Sequence, residues 1–187
     1  MRKVSAWLFI SLDGVVEAPN EWQFDVMDDE MGAEVTLQTD AEDAILFGRV
    51  TYQAFASYWP TSTEEPFASL INTTPKYVIS TTLDKVEWGK WEKPTLLKGN
   101  LTKEINKLKQ QPGKNIGVSG SPTLVRSLIH EGLLDELKLM IHPVLVGHGK
   151  HFFSDGDLKR LKLVDSKVTG TGVIIVTYRP AKNDNEK

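Results

Sequence analysis

Asn115-Ile116-Gly117-Val118-Ser119-Gly120-Ser121-Pro122-Thr123-Leu124 is the stretch on which the reading of this chain turns. Residues 115–119 have the short, β-compatible pattern of a strand. Gly120 permits a tight turn, Ser121 is a helix N-cap type, and Pro122 suits the first helical position, where a missing N–H costs nothing. The helix then runs over residues 122–131, with Leu124, Val125, Leu128 and Ile129 on one face and Gly132 as its stop. Strand, glycine turn and helix in that order are the half-unit of a parallel α/β sheet.

The same alternation extends in both directions. Residues 4–12 read as a first strand ended by Asp13-Gly14, and residues 26–39 as a helix. Residues 44–47 are a short apolar strand, and residues 50–59 a helix stopped by Pro60. A short helix over 67–71 and strands over 77–80 and 95–97 follow, then an amphipathic helix over 101–110 closed by Pro112-Gly113. Beyond Gly132 the helices cease. Residues 136–146, 160–168 and 173–178 read as strands, with Gly170-Thr171-Gly172 as a hairpin turn. The expected fold is α/β: a mixed, mostly parallel sheet flanked by helices, with an antiparallel C-terminal hairpin and the strand from Glu136 in the same sheet as residues 4–12. Residues 1–180 are expected to form one domain and 181–187 a polar, disordered tail.

Composition narrows the function. In 187 residues, 40% are hydrophobic and 25% charged, an ordinary globular balance. There is no cysteine, which removes disulfides, thiol nucleophiles and thiolate metal sites and fits a reducing, cytoplasmic setting. The net charge is −3 and no dense Lys/Arg block exists, so no nucleic-acid partner is expected. No apolar run approaches the ~20 residues of a membrane span, so no membrane partner is expected either. His142, His148 and His151 are close in sequence, but Gly147 and Gly149 suit a loop better than a metal site, and no metal is expected. Trp59, Trp88 and Trp91 suit core, interface or pocket-rim positions.

Three strand ends carry similar chemistry: Gly48-Arg49-Val50-Thr51, Ser80-Thr81-Thr82 and Ser119-Gly120-Ser121-Pro122-Thr123. In an open α/β sheet, ligands bind beyond the carboxyl ends of the strands. Glycine lets a ligand approach the backbone, helix starts offer free N–H groups to an anion, hydroxyls add donors, and Arg49 adds a planar fork suited to phosphate. Each piece also has an ordinary reading, as helix start, turn or surface ion pair. One phosphate needs only one such end; a dinucleotide with several phosphates can use all three. The usual GxGxxG fingerprint is absent.

The colinear order of the pieces is more specific than any one of them. Phe47-Gly48-Arg49-Val50-Thr51-Tyr52 resembles the Gly-Arg-x-Thr-aromatic segment of dihydrofolate reductases, and Val78-Ile79-Ser80-Thr81 resembles their second phosphate-and-adenine strand end. Val118–Leu124 resembles their glycine-rich turn, and more closely that of the reductase domain of bacterial riboflavin-biosynthesis enzymes. Ser11-Leu12-Asp13-Gly14 and His142-Pro143-Val144-Leu145-Val146-Gly147-His148-Gly149 are similar to two further segments of that domain. The resemblance spans residues 4–178 and implies a dihydrofolate-reductase-like fold and an NADPH-dependent oxidoreductase. Its substrate would be a small heterocycle, as for 5-amino-6-(5-phosphoribosylamino)uracil reductase or dihydrofolate reductase. It implies that Gly48, Arg49 and Thr51 face cofactor phosphates, with Arg49 favouring the 2′-phosphate. Ser80 and Thr81 would line the adenosine end, and Gly120, Ser121, Thr123 and Leu124 would hold the pyrophosphate. Asp13 would be the catalytic candidate beside the nicotinamide. The resemblance also implies a homodimer, expected to use part of residues 136–176, whose strand edges need cover. Two features depart from it. The substrate-orienting acid of dihydrofolate reductases has no clean counterpart among Asp25, Asp28, Asp29 and Glu30. The Cys-based zinc motif of the deaminase domain often fused to the riboflavin reductase is absent. A non-catalytic, nucleotide-binding or regulatory homodimer on the same fold is the alternative.

Overall fold

A computed structural model describes residues 1–153 and 158–181. Eight strands form one sheet: β1 (Val4–Ser11), β2 (Glu42–Gly48), β3 (Lys76–Ile79), β4 (Thr95–Leu97), β5 (Asn115–Ser119), β6 (Glu136–His142), β7 (Leu161–Val168) and β8 (Ile174–Pro180). Their spatial order is β4-β3-β2-β5-β1-β6-β8-β7. The first six strands pair in parallel, and β8 pairs antiparallel with both β6 and β7. The expected mixed sheet is therefore present, with β1 and β6 as direct neighbours from Ser5↔Glu136 to Ser11↔His142. The α-helices among the described residues are α1 (Asp29–Asp40), α2 (Arg49–Tyr58), α3 (Phe67–Thr73), α4 (Leu101–Gln110) and α5 (Pro122–His130).

Strand alternation assigns the two faces of the sheet. On β1, Val4, Ala6, Leu8 and Ile10 join Ile105 and Leu108 of α4 and Leu124, Val125 and Leu128 of α5 in the main core. Trp7 and Phe9 point the other way, toward Met31 and Val35 of α1 and Met140 of β6. Trp88 is buried in a third cluster with Phe47, Tyr52 and Val78, and its indole N–H donates to Asn72 Oδ1 at 2.7 Å.

Two expected elements end differently. The strand expected over 136–146 stops at His142, because Pro143 has no N–H to offer the ladder and Val144 N–H turns back onto the His142 carbonyl at 2.8 Å. The helix expected from residue 26 starts at Asp29. Asp28 is its N-cap, accepting from Met31 N–H, and two single 3-10 turns, Pro19–Glu21 and Phe24–Val26, precede it. Of the tail expected over 181–187, residues 182–187 lie outside the described residues. Among the described residues no helix is long and apolar enough to cross a membrane.

Candidate active site

The parallel pairing brings the C-terminal ends of β3, β2, β5, β1 and β6 to one edge of the sheet, in that order. Four helices of nine or more residues start there, and they start in two ways. Both outer helices are capped: Asp28 accepts from Met31 N–H on α1, and Asn100 from Lys103 N–H on α4. Neither inner helix has a side-chain cap. α2 starts after Gly48. α5 starts after Ser121, whose hydroxyl faces away from its own helix and accepts the Gly48 N–H at 2.9 Å. Thr51 Oγ1 in turn accepts the Ser121 N–H at 2.9 Å. These two bonds stitch the ends of β2 and β5 together and leave the first N–H groups of both helices without side-chain partners.

The backbone at this stitch is unusual. Gly120 and Ser121 are both left-handed, with φ of 61° and 55°. For serine this conformation costs roughly 1–2 kcal/mol. A Cβ at Gly120 would lie 3.1 Å from Thr51 Cγ2, so the close approach of the two turns also favours glycine there. A strained residue beside two uncapped, adjacent helix starts is the arrangement expected of an anion site.

Of the residues singled out from the sequence, Gly48, Thr51, Gly120, Ser121 and Leu124 converge on this stitch. Leu124 itself is buried in the main core, and its Cβ lies against the Gly48 turn. Arg49 is exposed at the start of α2, with only a 3.4 Å contact to Gln53 Oε1 from the same helix. The pairing Gly48↔Ile79 brings Ser80 alongside the start of α2. The Ser80 hydroxyl accepts from Thr82 and Leu83 N–H groups and so shapes its own turn. Thr81 and Thr123 are exposed.

At the β1 and β6 ends, Asp13 is held by donors on both carboxylate oxygens. Ser11 donates to Oδ1 at 2.5 Å, Val146 N–H to Oδ1 at 3.1 Å and Gly147 N–H to Oδ2 at 2.7 Å. These bonds, led by the Ser11 hydroxyl, lower its pKa to about 2. Asp13 is therefore an ionised clamp on the loop after β6, and an anion at neutral pH donates no proton. The acids of the first helix are engaged too. Asp28 caps α1 and lies 2.9 Å from Thr171 Oγ1, while Glu30 accepts the Gly170 N–H at 2.7 Å. Both tie α1 to the β7–β8 turn, and Asp25 and Asp29 are exposed.

One residue at this edge has no site role in the sequence reading. His142, the last residue of β6, is fully buried between the edges of Phe9 and Trp22, at centroid distances of 5.5 and 5.4 Å. A histidine within an apolar strand run, pointing to the same face as Trp7 and Phe9 of the paired strand, is the signal that could have found it.

An eight-stranded mixed sheet of this order, with glycine-rich turns leading into uncapped helices, defines a dihydrofolate-reductase-like protein of the reductase-related type. The model of the RibD C-terminal domain family matches residues 2–175, and the chain belongs to that family. The protein YyaP of Bacillus subtilis (strain 168) is 33% identical over 183 residues, covering 95% of this chain and 94% of its own. A solved structure of a protein assigned to riboflavin biosynthesis, from Shewanella sp. PV-4, superposes with a TM-score of 0.79 at 22% identity, over 96% of this chain and 99% of that one. The diaminohydroxyphosphoribosylaminopyrimidine deaminase/5-amino-6-(5-phosphoribosylamino)uracil reductase of Thermotoga maritima shares the fold with a TM-score of 0.67 at 15% identity, over 96% of this chain and 57% of that one.

Proposed function

We propose that this protein is an NADPH-dependent reductase of a small, flat heterocycle of the pyrimidine or pterin kind. The observation that carries the reading is the Ser121–Gly48 and Thr51–Ser121 stitch, which leaves two neighbouring helix starts open beside the exposed Arg49. Gly48, Thr51, Gly120, Ser121, Thr123 and Leu124 would hold phosphate groups through backbone N–H and hydroxyl donors. Arg49 would read the 2′-phosphate, and Ser80 and Thr81 would line the adenosine end. Bound NADPH would supply the hydride, so the protein needs only to orient the two rings. Asp13 would position the substrate by fixing residues 146 and 147. The chain would work as a homodimer. β7 is exposed along nearly its whole length, with Leu163, Val164 and Val168 open on the edge strand, and a second copy would cover them.

Tryptophan fluorescence titration with NADPH and NADH tests the cofactor, followed by a screen of oxidised pterins and aminouracils for NADPH consumption. Tight NADPH binding with no consumption on any ring favours the second reading, a non-catalytic nucleotide-binding homodimer. The engagement of Asp13, Asp28 and Glu30 by other groups gives that reading its support. Light scattering at micromolar concentration tests the dimer, and a monomer mass removes it.

A further inference from the structure

Among the described residues, three buried side-chain polar atoms have no hydrogen-bond partner: Trp7 Nε1, Gln23 Oε1 and His142 Nε2. None belongs to the phosphate side of the edge. All lie on the α1 face of β1 and β6 or in the segment crossing it. Trp7 is accounted for by the neighbouring Glu42 carboxyl, on which it acts without completing a bond. For His142 the neighbouring group is the Ile10 carbonyl, which only accepts and so cannot satisfy an acceptor nitrogen. Its Nδ1 lies 2.9 Å from the Met140 carbonyl, and a carbonyl only accepts, so Nδ1 carries the hydrogen. In the neutral ring Nε2 is then a bare acceptor. Burial favours that neutral form, against the pull of the Met140 and Ile10 carbonyls. A bare buried acceptor is costly to keep, because it has lost water and gained nothing.

What covers His142 is built to come away. Trp22 packs its edge on the ring, and the hydrogen bonds of residues 18–25 close within the segment 17–27. Trp22 Nε1 donates to the Glu17 carbonyl, Glu21 N–H to that of Ala18, Gln23 N–H to that of Pro19 and Met27 N–H to that of Phe24. Residues 18–25 can therefore lift without breaking a bond to the sheet, hinged on the anchors at either end, where Glu17 Oε2 accepts the Lys150 N–H and the Val26 carbonyl accepts the Thr171 hydroxyl. Beneath it Phe9 and His142 form an aromatic floor, and Ser11, the register partner of His142, is two residues from Asp13.

We infer that His142 is the ring-recognition residue of the substrate subsite: with residues 18–25 lifted, its Nε2 accepts a hydrogen bond from a ring N–H of a flat lactam heterocycle lying against Phe9. The inference rests on the reductase reading and deepens it by naming the feature the substrate must present. Uracil-type and pterin-type rings share that feature, and the test separates them.

The test is calorimetric binding, with and without NADPH, of 5,6-diaminouracil against its 1,3-dimethyl analogue, and of pterin against 3-methylpterin. The wild type is expected to prefer the N–H form of one ring pair by at least ~10-fold, as one hydrogen bond to a buried acceptor provides. The pair showing the preference identifies the ring. His142→Phe keeps the aromatic volume and removes the acceptor, and its preference should fall below ~3-fold. His142→Gln, which restores an acceptor, should recover part of it and stands in if the Phe variant does not fold. A purely structural His142 would change the melting temperature and leave the preference intact, which overturns the inference. So does a wild type that binds neither ring pair or shows no N–H preference. NADPH binding without ring preference removes only the role of His142. Ring preference without NADPH binding keeps His142 and removes the reductase reading.

Discussion

The two edges of the same sheet treat their polar groups in opposite ways. At the edge where the parallel strands begin, charges are paired. Arg2 meets the Asp43 carboxylate and donates to the Lys114 carbonyl at 2.7 Å. Asp135 accepts the Val4 N–H at 2.7 Å and pairs with Lys109 at 2.6 Å. The buried Lys76 ammonium is shared by the carbonyls of Ile71, Asn72 and Thr74 at the end of α3. At the edge where the strands end, two helices lack caps, Ser121 is left-handed, Arg49 has one long contact and His142 keeps a bare acceptor. The chain invests stability at one edge and withholds it at the other. Local rules fail at the edge where the proposed cofactor and substrate would complete them.

The largest expected effect tests the paired edge. Glu42, at the start of β2, is buried against Gly117 with Gln38 and Ser5 as donors to its Oε1, at 2.7 and 3.1 Å. Burial raises its pKa to about 7 against an ordinary value of 4.5. The folded state therefore binds this proton more tightly than the unfolded chain. The stabilisation is full below pH ~4.5 and is lost as pH rises through ~7, about 3 kcal/mol in all. Urea melts of the wild type at pH 5, 6, 7 and 8 should show that decline, and Glu42→Gln should abolish it and be the more stable protein at pH 8. Parallel pH profiles for the two proteins would mean that Glu42 titrates normally.

At the open edge, Asp13 is the exception, because all its partners are donors. Asn in its place offers an amide N–H₂ where an acceptor is required, so the loop holding Val146 and Gly147 loosens. Turnover on the ring found by the screen should fall by ~10²-fold or more, the range of a lost positioning group, while NADPH affinity should stay within about threefold, because the proposed phosphate groups sit at the ends of β5 and β2 and make no contact with Asp13. Unchanged turnover in a folded Asp13→Asn protein removes Asp13 from the mechanism. Arg49 comes next. Its charge-assisted contact to the 2′-phosphate would contribute roughly ten- to a hundredfold in affinity. Arg49→Ala should weaken NADPH binding by that factor and NADH binding much less. Equal losses would show that the guanidinium does not read the 2′-phosphate.

The sequence showed the fold more clearly than the site. Strand ends marked by Gly48, Gly120 and Pro122 are local signals, and they placed β2, β5 and their helices within a residue or two. The end of β6 was misjudged because apolar continuity through Val146 outweighed one proline. The roles of Asp13 and Ser121 depended on partners far along the chain, |i−j| of 134 and 73, which no spacing reveals. His142 falls within the strand expected over 136–146, but its neighbour Ser11 lies on β1, far along the chain, and only the sheet register brings the two together.

The smallest effect is the sharpest test of the comparison. If Ser121 is strained for a ligand's sake, its two possible replacements should separate. Ser121→Gly relieves roughly 1–2 kcal/mol of left-handed strain and loses a hydrogen bond to Gly48 of about 1 kcal/mol. The added freedom of glycine in the unfolded chain costs a further ~0.5–1 kcal/mol. These terms nearly cancel, so the melting temperature should move by no more than ~2–4 °C for a chain of this length. Ser121→Ala loses the same hydrogen bond and keeps all the strain, so it should melt lower than the glycine variant. In both, NADPH affinity should fall ~3- to 10-fold, because the stitch between β2 and β5 no longer holds the two helix starts in register. A glycine variant that melts below the alanine one would show that the left-handed turn carries no strain. A glycine variant with wild-type NADPH affinity would show that the Gly48–Ser121 bond serves the fold alone.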